Sequence, residues 1–198
     1  MTDVGPVGTT SEAEGSHRRR VAPFIALAVA VVLGGLFAVL AGADGARNET
    51  AETPLRDRPA PAASGVHADG SVFDLSRRKG SWVVLNFFTS NCAPCRREHP
   101  ELVRFVDQQG ELGTNGAELY TIAIGGEPHD VVSAFFADEG GDWPVVFDDD
   151  GRFSVAFGVS KVPETWIIDP DGVVRGRVIS EVTADFLSSQ IQLMREGT

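Results

Sequence analysis

The two cysteines of this 198-residue chain stand three positions apart, in Cys92-Ala93-Pro94-Cys95. Thiols at that spacing can close a disulfide on each other and open it again, so the pair can carry two electrons. A thiolate at one sulfur would attack a foreign disulfide, and the other sulfur would resolve the mixed disulfide by closing the internal bond. Two cysteines cannot build a four-cysteine zinc site, and the spacings of His17, His67, His99 and His129 supply no further ligands. A structural staple is the competing expectation. Closing so short a loop removes only about 2 kcal/mol of unfolded-state entropy, which favours the redox use.

That chemistry needs a place that favours thiolate. Trp82 to Phe88 is a near-continuous apolar run, expected of a strand buried on both faces. Leu102, Phe105 and Val106 share one face of a helix that starts near Ala93. The motif therefore falls at a strand-to-helix junction, with Cys92 at the exposed helix N-terminus. Unsatisfied N–H groups and the positive dipole end there favour thiolate, and cysteines so placed titrate at roughly 3.5 to 7.5. Cys95, one turn further on, can reach back as the resolving thiol.

Around this junction the sequence from Gly65 onward alternates strands and helices. Val66-His67 and Ser71-Val72-Phe73 flank the hairpin signal Asp69-Gly70. Leu119 to Ile124 is expected as the next strand, and Val132, Phe135 and Phe136 mark a second helix. Pro144 to Phe147 suggests a short strand closed by Asp148-Asp149-Asp150-Gly151, and Phe153 to Phe157 a brief helix. Thr165 to Ile168 and Val173 to Val178 flank the turn Asp169-Pro170-Asp171-Gly172, and Leu187, Ile191 and Met194 stripe a last helix. The pattern predicts an α/β domain with a central sheet and right-handed parallel crossovers.

The stretches GSWVVLNFFTSNCAPCRREHPEL and GVSKVPETWIIDPDG resemble the thioredoxin superfamily, in its membrane-anchored TlpA/ResA-like branch and the cytochrome c maturation reductases. The resemblance covers Gly65 to the C-terminus. It implies a thioredoxin-like fold, a central mixed sheet flanked by helices, with Cys92 as attacking thiol and Cys95 as releasing thiol. It further implies that Val162-Pro163 is the cis-proline loop opposite the disulfide, where Val162 offers main-chain groups to a substrate chain. Asn86 matches the branch's replacement of a buried carboxylate. Glu98 matches an acidic residue that tunes the cysteines, and its i,i+3 spacing from Cys95 puts it on the same helix face. Glu164 completes a Val-Pro-Glu-Thr pattern and is expected at the substrate, with a solvated loop carboxylate as the equal alternative. Asn91 departs from the usual Trp before the first cysteine and puts substrate preference in question. Pro100 matches a helix proline without chemical role.

Other residues are expected to be ordinary. His67, His99 and His129 read as solvated or capping, Trp82 and Trp166 as core. Asp148 to Asp150 lack the calcium-loop spacing and read as a solvated turn. Arg96 and Arg97 could assist thiolate formation by charge, though helix-surface arginines are commonplace. No cofactor or metal is expected. Two other functions compete. Thr89 and Cys92 fit the end of the peroxiredoxin pattern, but Leu85 stands at its proline position and Cys95 is too close to be the usual resolving cysteine. A non-catalytic thioredoxin-fold binding module is the third.

Val21 to Ala43 is an uninterrupted apolar run, roughly 34 Å long as a helix against roughly 30 Å of hydrocarbon. Arg18, Arg19 and Arg20 precede it and Asp44 follows, so the positive-inside bias predicts N-in, C-out topology. Small residues at Ala41, Ala43 and Ala46 would suit a cleaved signal peptide, but such cores run only about 7 to 15 residues. The expected organisation is a cytoplasmic tail (1–20), a transmembrane anchor (21–43), a flexible Pro-containing linker (44–64) and an extracytoplasmic thioredoxin-like domain (65–198). Its expected partners are protein disulfides outside the cytoplasmic membrane, apocytochrome c among them, a transmembrane electron carrier and the bilayer. A net charge of −11 lacks the basic surface that nucleic-acid binding requires.

Overall fold

The computed structural model describes residues 18–42 and 50–197, without the side chains of 18–23 and 37–42. The expected tail up to residue 17, and residues 43–49 of the expected anchor and linker, lie outside the described residues. The chain divides into two units, Met1–Gly45 and Ala46–Thr198.

The first unit holds helix α1 (Arg18–Gly42). Its described side chains include Phe24, Ile25, Leu27, Val29, Val31, Val32, Leu33 and Leu36, all exposed; at 100° per residue they lie on every side of the helix. Among the described residues no helix is long and apolar enough to cross a membrane.

The second unit runs β1 (Ser64–His67), β2 (Val72–Asp74), β3 (Val83–Phe88), α2 (Ala93–Gly110), β4 (Glu118–Ala123), α3 (His129–Glu139), β5 (Val145–Phe147), α4 (Arg152–Phe157), β6 (Glu164–Ile168), β7 (Val174–Ile179) and α5 (Ala184–Glu196). The strands form one mixed sheet in the order β2-β1-β5-β4-β3-β6-β7. β3, β4 and β5 are mutually parallel, the crossovers being α2 and α3, and every other pairing is antiparallel.

The period of two along β3 divides the core. Val83, Leu85 and Phe87 face a cluster with Phe153 and Phe157 of α4, Trp166 and Phe73. Val84 faces the opposite cluster, with Leu102 and Phe105 of α2 and Leu187 and Ile191 of α5. Asn86, between Val84 and Phe88, consequently points a polar group at α2.

The linker expectation fails from residue 50 onward. Thr50 bridges Val178 and Pro59 bridges Val173. Ala51 N–H donates to Arg177 O (2.6 Å), Asp57 N–H to Val174 O (2.8 Å), Val174 N–H to Arg58 O (2.9 Å) and Ala60 N–H to Gly172 O (2.8 Å). Leu55 and Ala60 pack on the core and Ala63 is buried. This strap is held by its backbone groups, which composition does not reveal: prolines leave the chain extended, and an extended chain can pair with a strand as readily as with water.

Candidate active site

The apolar run that makes β3 a buried strand ends at Phe88, and Cys92 is the N-cap of α2. Pro94 in the first turn suits a position where its missing N–H costs nothing. Cys92 and Cys95 form a disulfide with Cα atoms 5.2 Å apart. Their environments differ. Cys92 is half-buried and its sulfur accepts the Cys95 N–H at 3.1 Å, whereas Cys95 is 1% exposed among Phe88, Ala123, Val132 and Phe135. The outer sulfur thus lies at the helix terminus with a donor aimed at it, the arrangement that favours negative charge there once the bond is reduced.

Val162 packs against the same cluster as Cys92, and the Val162-Pro163 peptide is cis. Pro163 is buried and its carbonyl accepts Ser180 N–H at 3.1 Å. The structure therefore brings Cys92, Cys95, Val162 and Pro163 together at one end of the sheet, where the parallel strands end and their loops converge.

Glu98, three residues after Cys95 on α2, is 2% exposed. Its Oε1 accepts from Asn86 Nδ2 (2.8 Å) and its Oε2 from Val182 N–H (2.9 Å). Asn86 also donates to Thr165 Oγ1 (3.1 Å), while its own Oδ1 is buried with no partner among the described residues. Burial pushes the Glu98 carboxyl up to about 8, against the pull of its hydrogen bonds from Asn86 and Val182.

Glu164 corrects the sequence reading. It is fully buried at the start of β6, where Arg177 Nε donates to its Oε1 (3.0 Å) and a second Arg177 nitrogen to its Oε2 (3.0 Å). Trp166 Nε1 adds a third bond at 2.8 Å. A carboxylate with both oxygens committed inside the sheet offers nothing to a substrate, and it is not the solvated alternative either. Its neighbour across the hairpin, Arg177, gave no sequence signal of the pairing beyond lying in a strand.

His99 is likewise no solvated residue. It is 2% exposed among Phe135, Phe136 and Trp143, with Nε2 2.7 Å from Gly140 O. It falls on the α2 stripe with Cys95, Leu102 and Val106, so its spacing could have placed it. His67 reaches Val145 O through Nδ1, and His129 stacks on Phe147 at 3.7 Å. Asp148 is buried and accepts Phe153 N–H (2.8 Å) and Ser154 N–H (2.9 Å), so it closes the turn rather than facing water. Asn91 is exposed, its Oδ1 accepting from Thr89 Oγ1 (3.0 Å). Arg97 pairs with Glu181 and Arg96 with Glu139. The sequence reading missed Glu127, which binds Ser90 beside the motif; its position just past the end of a parallel strand was the available signal.

An S–S bond that opens to a dithiol on taking up two electrons, an outer sulfur at a helix terminus and an inner one sealed beneath it define a class of protein, the thiol-disulfide oxidoreductases of thioredoxin-like fold. Comparison with known proteins narrows this. The AhpC/TSA family matches residues 57–177, and the chain belongs to that family. It is 31% identical over 129 residues to thiol-disulfide oxidoreductase ResA of Bacillus subtilis, covering 65% of this chain and 70% of the relative. It is 30% identical over 149 residues to thiol:disulfide interchange protein HelX of Rhodobacter capsulatus, covering 74% and 80%. Among solved structures, a putative thiol:disulfide interchange protein DsbE from Chlorobium tepidum superposes with a TM-score of 0.60 at 26% identity, over 71% of this chain and 96% of that one.

Proposed function

We propose that this thiol-disulfide oxidoreductase is a membrane-anchored reductant of protein disulfides, working outside the cytoplasmic membrane with apocytochrome c among its substrates. The inequality of the two sulfurs carries the chemical part. The Cys92 thiolate attacks one sulfur of a substrate disulfide and expels the other as a thiolate that takes up a proton. Cys95 then gives up its proton and attacks the Cys92 sulfur, which releases the second substrate thiol and leaves the Cys92–Cys95 bond. A transmembrane electron carrier returns two electrons and two protons. Glu98 is the buried group placed to hold a proton while Cys95 ionises, and Val162 offers main-chain groups to the substrate strand beside Pro163.

The anchor is supported by the apolar run Val21 to Ala43 and by the arginine triplet before it. Apolar side chains exposed all round α1 suit lipid better than water. The cytochrome c link is supported by the resemblance to the maturation reductases.

The test is to trap partners on a Cys95→Ala variant in cells. Without the resolving thiol, mixed disulfides on Cys92 accumulate, and apocytochrome c is found among them; a variant that captures no protein would sink the reading. A reporter fused after Thr198 is active only outside the cytoplasm. Cytoplasmic activity would overturn the topology, and a mature chain beginning near Asp44 would overturn the anchor.

A further inference from the structure

The loop that carries Cys92 is held from a second loop. Ser90, two residues before Cys92, has its three polar groups taken by charged side chains. Its N–H donates to Glu127 Oε2 (2.8 Å) and its hydroxyl to Glu127 Oε1 (2.6 Å). Its carbonyl accepts from Arg96 at 3.4 Å. Arg96, in the first turns of α2, lies 4.9 Å from the centroid of the Phe135 ring and also binds Glu139, the last residue of α3, at 2.6 Å. Glu127, just before α3, binds the loop directly, and Glu139 at the end of α3 binds Arg96, which in turn donates to the Ser90 carbonyl. Gly125 and Gly126, with φ of 82° and 67°, turn the chain after β4 through conformations that side-chain-bearing residues resist. That turn brings Glu127 back to Ser90.

We propose that Glu127 is a positioning residue for disulfide exchange, which fixes the Cys92 loop through Ser90 and sets a negative charge against ionisation of the attacking sulfur. The helix terminus and the Cys95 N–H pull Cys92 toward thiolate. A thiolate that is too stable attacks poorly, because nucleophilicity falls with pKa and the best attacking thiol titrates near ambient pH. Glu127 is the counterweight. Other titratable groups on the elements that adjoin the motif are Arg96, Arg97 and Glu98 on α2, His129, Asp130 and Glu139 on α3, Lys161 before the cis-proline and Glu181 after β7. Arg96 and Arg97 are ion-paired to Glu139 and Glu181, and His129 Nε2 lies 2.9 Å from an Asp149 carboxylate oxygen. Of these groups, Arg96 shares with Glu127 a hydrogen bond to Ser90.

This rests on Cys92 being the attacking thiol. The experiment follows alkylation of the reduced full-length protein across pH, in the unaltered chain, Glu127→Gln, Ser90→Ala and the double variant, with the rate of attack on a small disulfide measured alongside. Glu127→Gln lowers the Cys92 midpoint by about half a unit, about threefold more thiolate at a pH below it, and slows the attack of each thiolate. Ser90→Ala changes less in the Glu127→Gln background than alone, because both act through one contact. A Glu127→Gln titration that superimposes on the unaltered one would overturn the proposal, whatever happens to stability. If Cys95 alkylates ahead of Cys92 in the unaltered protein, the assignment of the attacking thiol has failed first, and the proposal falls with it.

Discussion

Two buried carboxylates, Glu98 and Glu164, lie close to the redox motif in sequence or space, and their partners decide their chemistry. Glu98 meets only neutral donors, Asn86 and the Val182 N–H, and is pushed up to about 8 by burial. On the proposed role it would compete with a cysteine for a proton, since two negative charges close together disfavour each other and coupled groups titrate as a set. Glu98→Gln is therefore expected to lower the apparent pKa of at least one active-site cysteine and to change the exchange rate. Alkylation curves of the two proteins decide it, and coincident curves would show no coupling. Glu164 meets Arg177, and the pair is 0% and 14% exposed at the side chain. Truncating one partner of such a pair leaves a buried charge unmatched, at a cost of about 3–5 kcal/mol. Glu164→Ala should lower stability on that scale in denaturant unfolding, while the fraction that remains folded exchanges disulfides with an unchanged KM. A raised KM would restore Glu164 to the substrate site.

At the scale of elements, α2 carries adjacent groups of opposite pH response. Glu98 titrates higher in the folded state, up to about 8 from its ordinary 4.5. Its contribution to stability is complete below about 4.5 and is lost as pH rises through about 8. His99 is held down by burial, so its contribution is present above its ordinary 6.5 and is lost as pH falls. Glu98→Gln should flatten the alkaline side of a stability-against-pH curve and His99→Gln the acid side; unfolding midpoints across pH check both, and a Glu98→Gln curve parallel to the original would refute the first. The sequence made the elements of the domain legible because each had a strong local cause: period two in β3, helical period in α2 and α5, turn chemistry at Asp69-Gly70 and Asp169-Gly172. The motif announced Cys92 and Cys95, and the resemblance brought Val162-Pro163. What stayed hidden depends on partners distant in sequence. Arg177 claims Glu164 from 13 residues away, and Ser90 and Glu127 meet across 37; a strap joined by backbone hydrogen bonds leaves no mark on side-chain pattern.

At the scale of the whole molecule, the folded unit begins well before its first sheet strand. A chain that starts at Ala62 should be less stable than one that starts at Ala46 by about 2–4 kcal/mol, the loss of a part-buried Leu55 and several paired backbone groups. Urea midpoints of the two chains measure it, and equal midpoints would show the strap to be mere decoration. The strap has a second effect. Without it β7 would be a six-residue open edge, a template on which any extended chain could add itself. The opposite edge, β2, has three residues and ends on Asp74. The protein disulfides proposed as its substrates would bring extended backbone to each encounter. By filling its long edge with its own residues it leaves little room for such chains to lodge away from the sulfurs, so that capture without chemistry, and the aggregation that begins with it, is resisted by the same short segment that first read as a spacer.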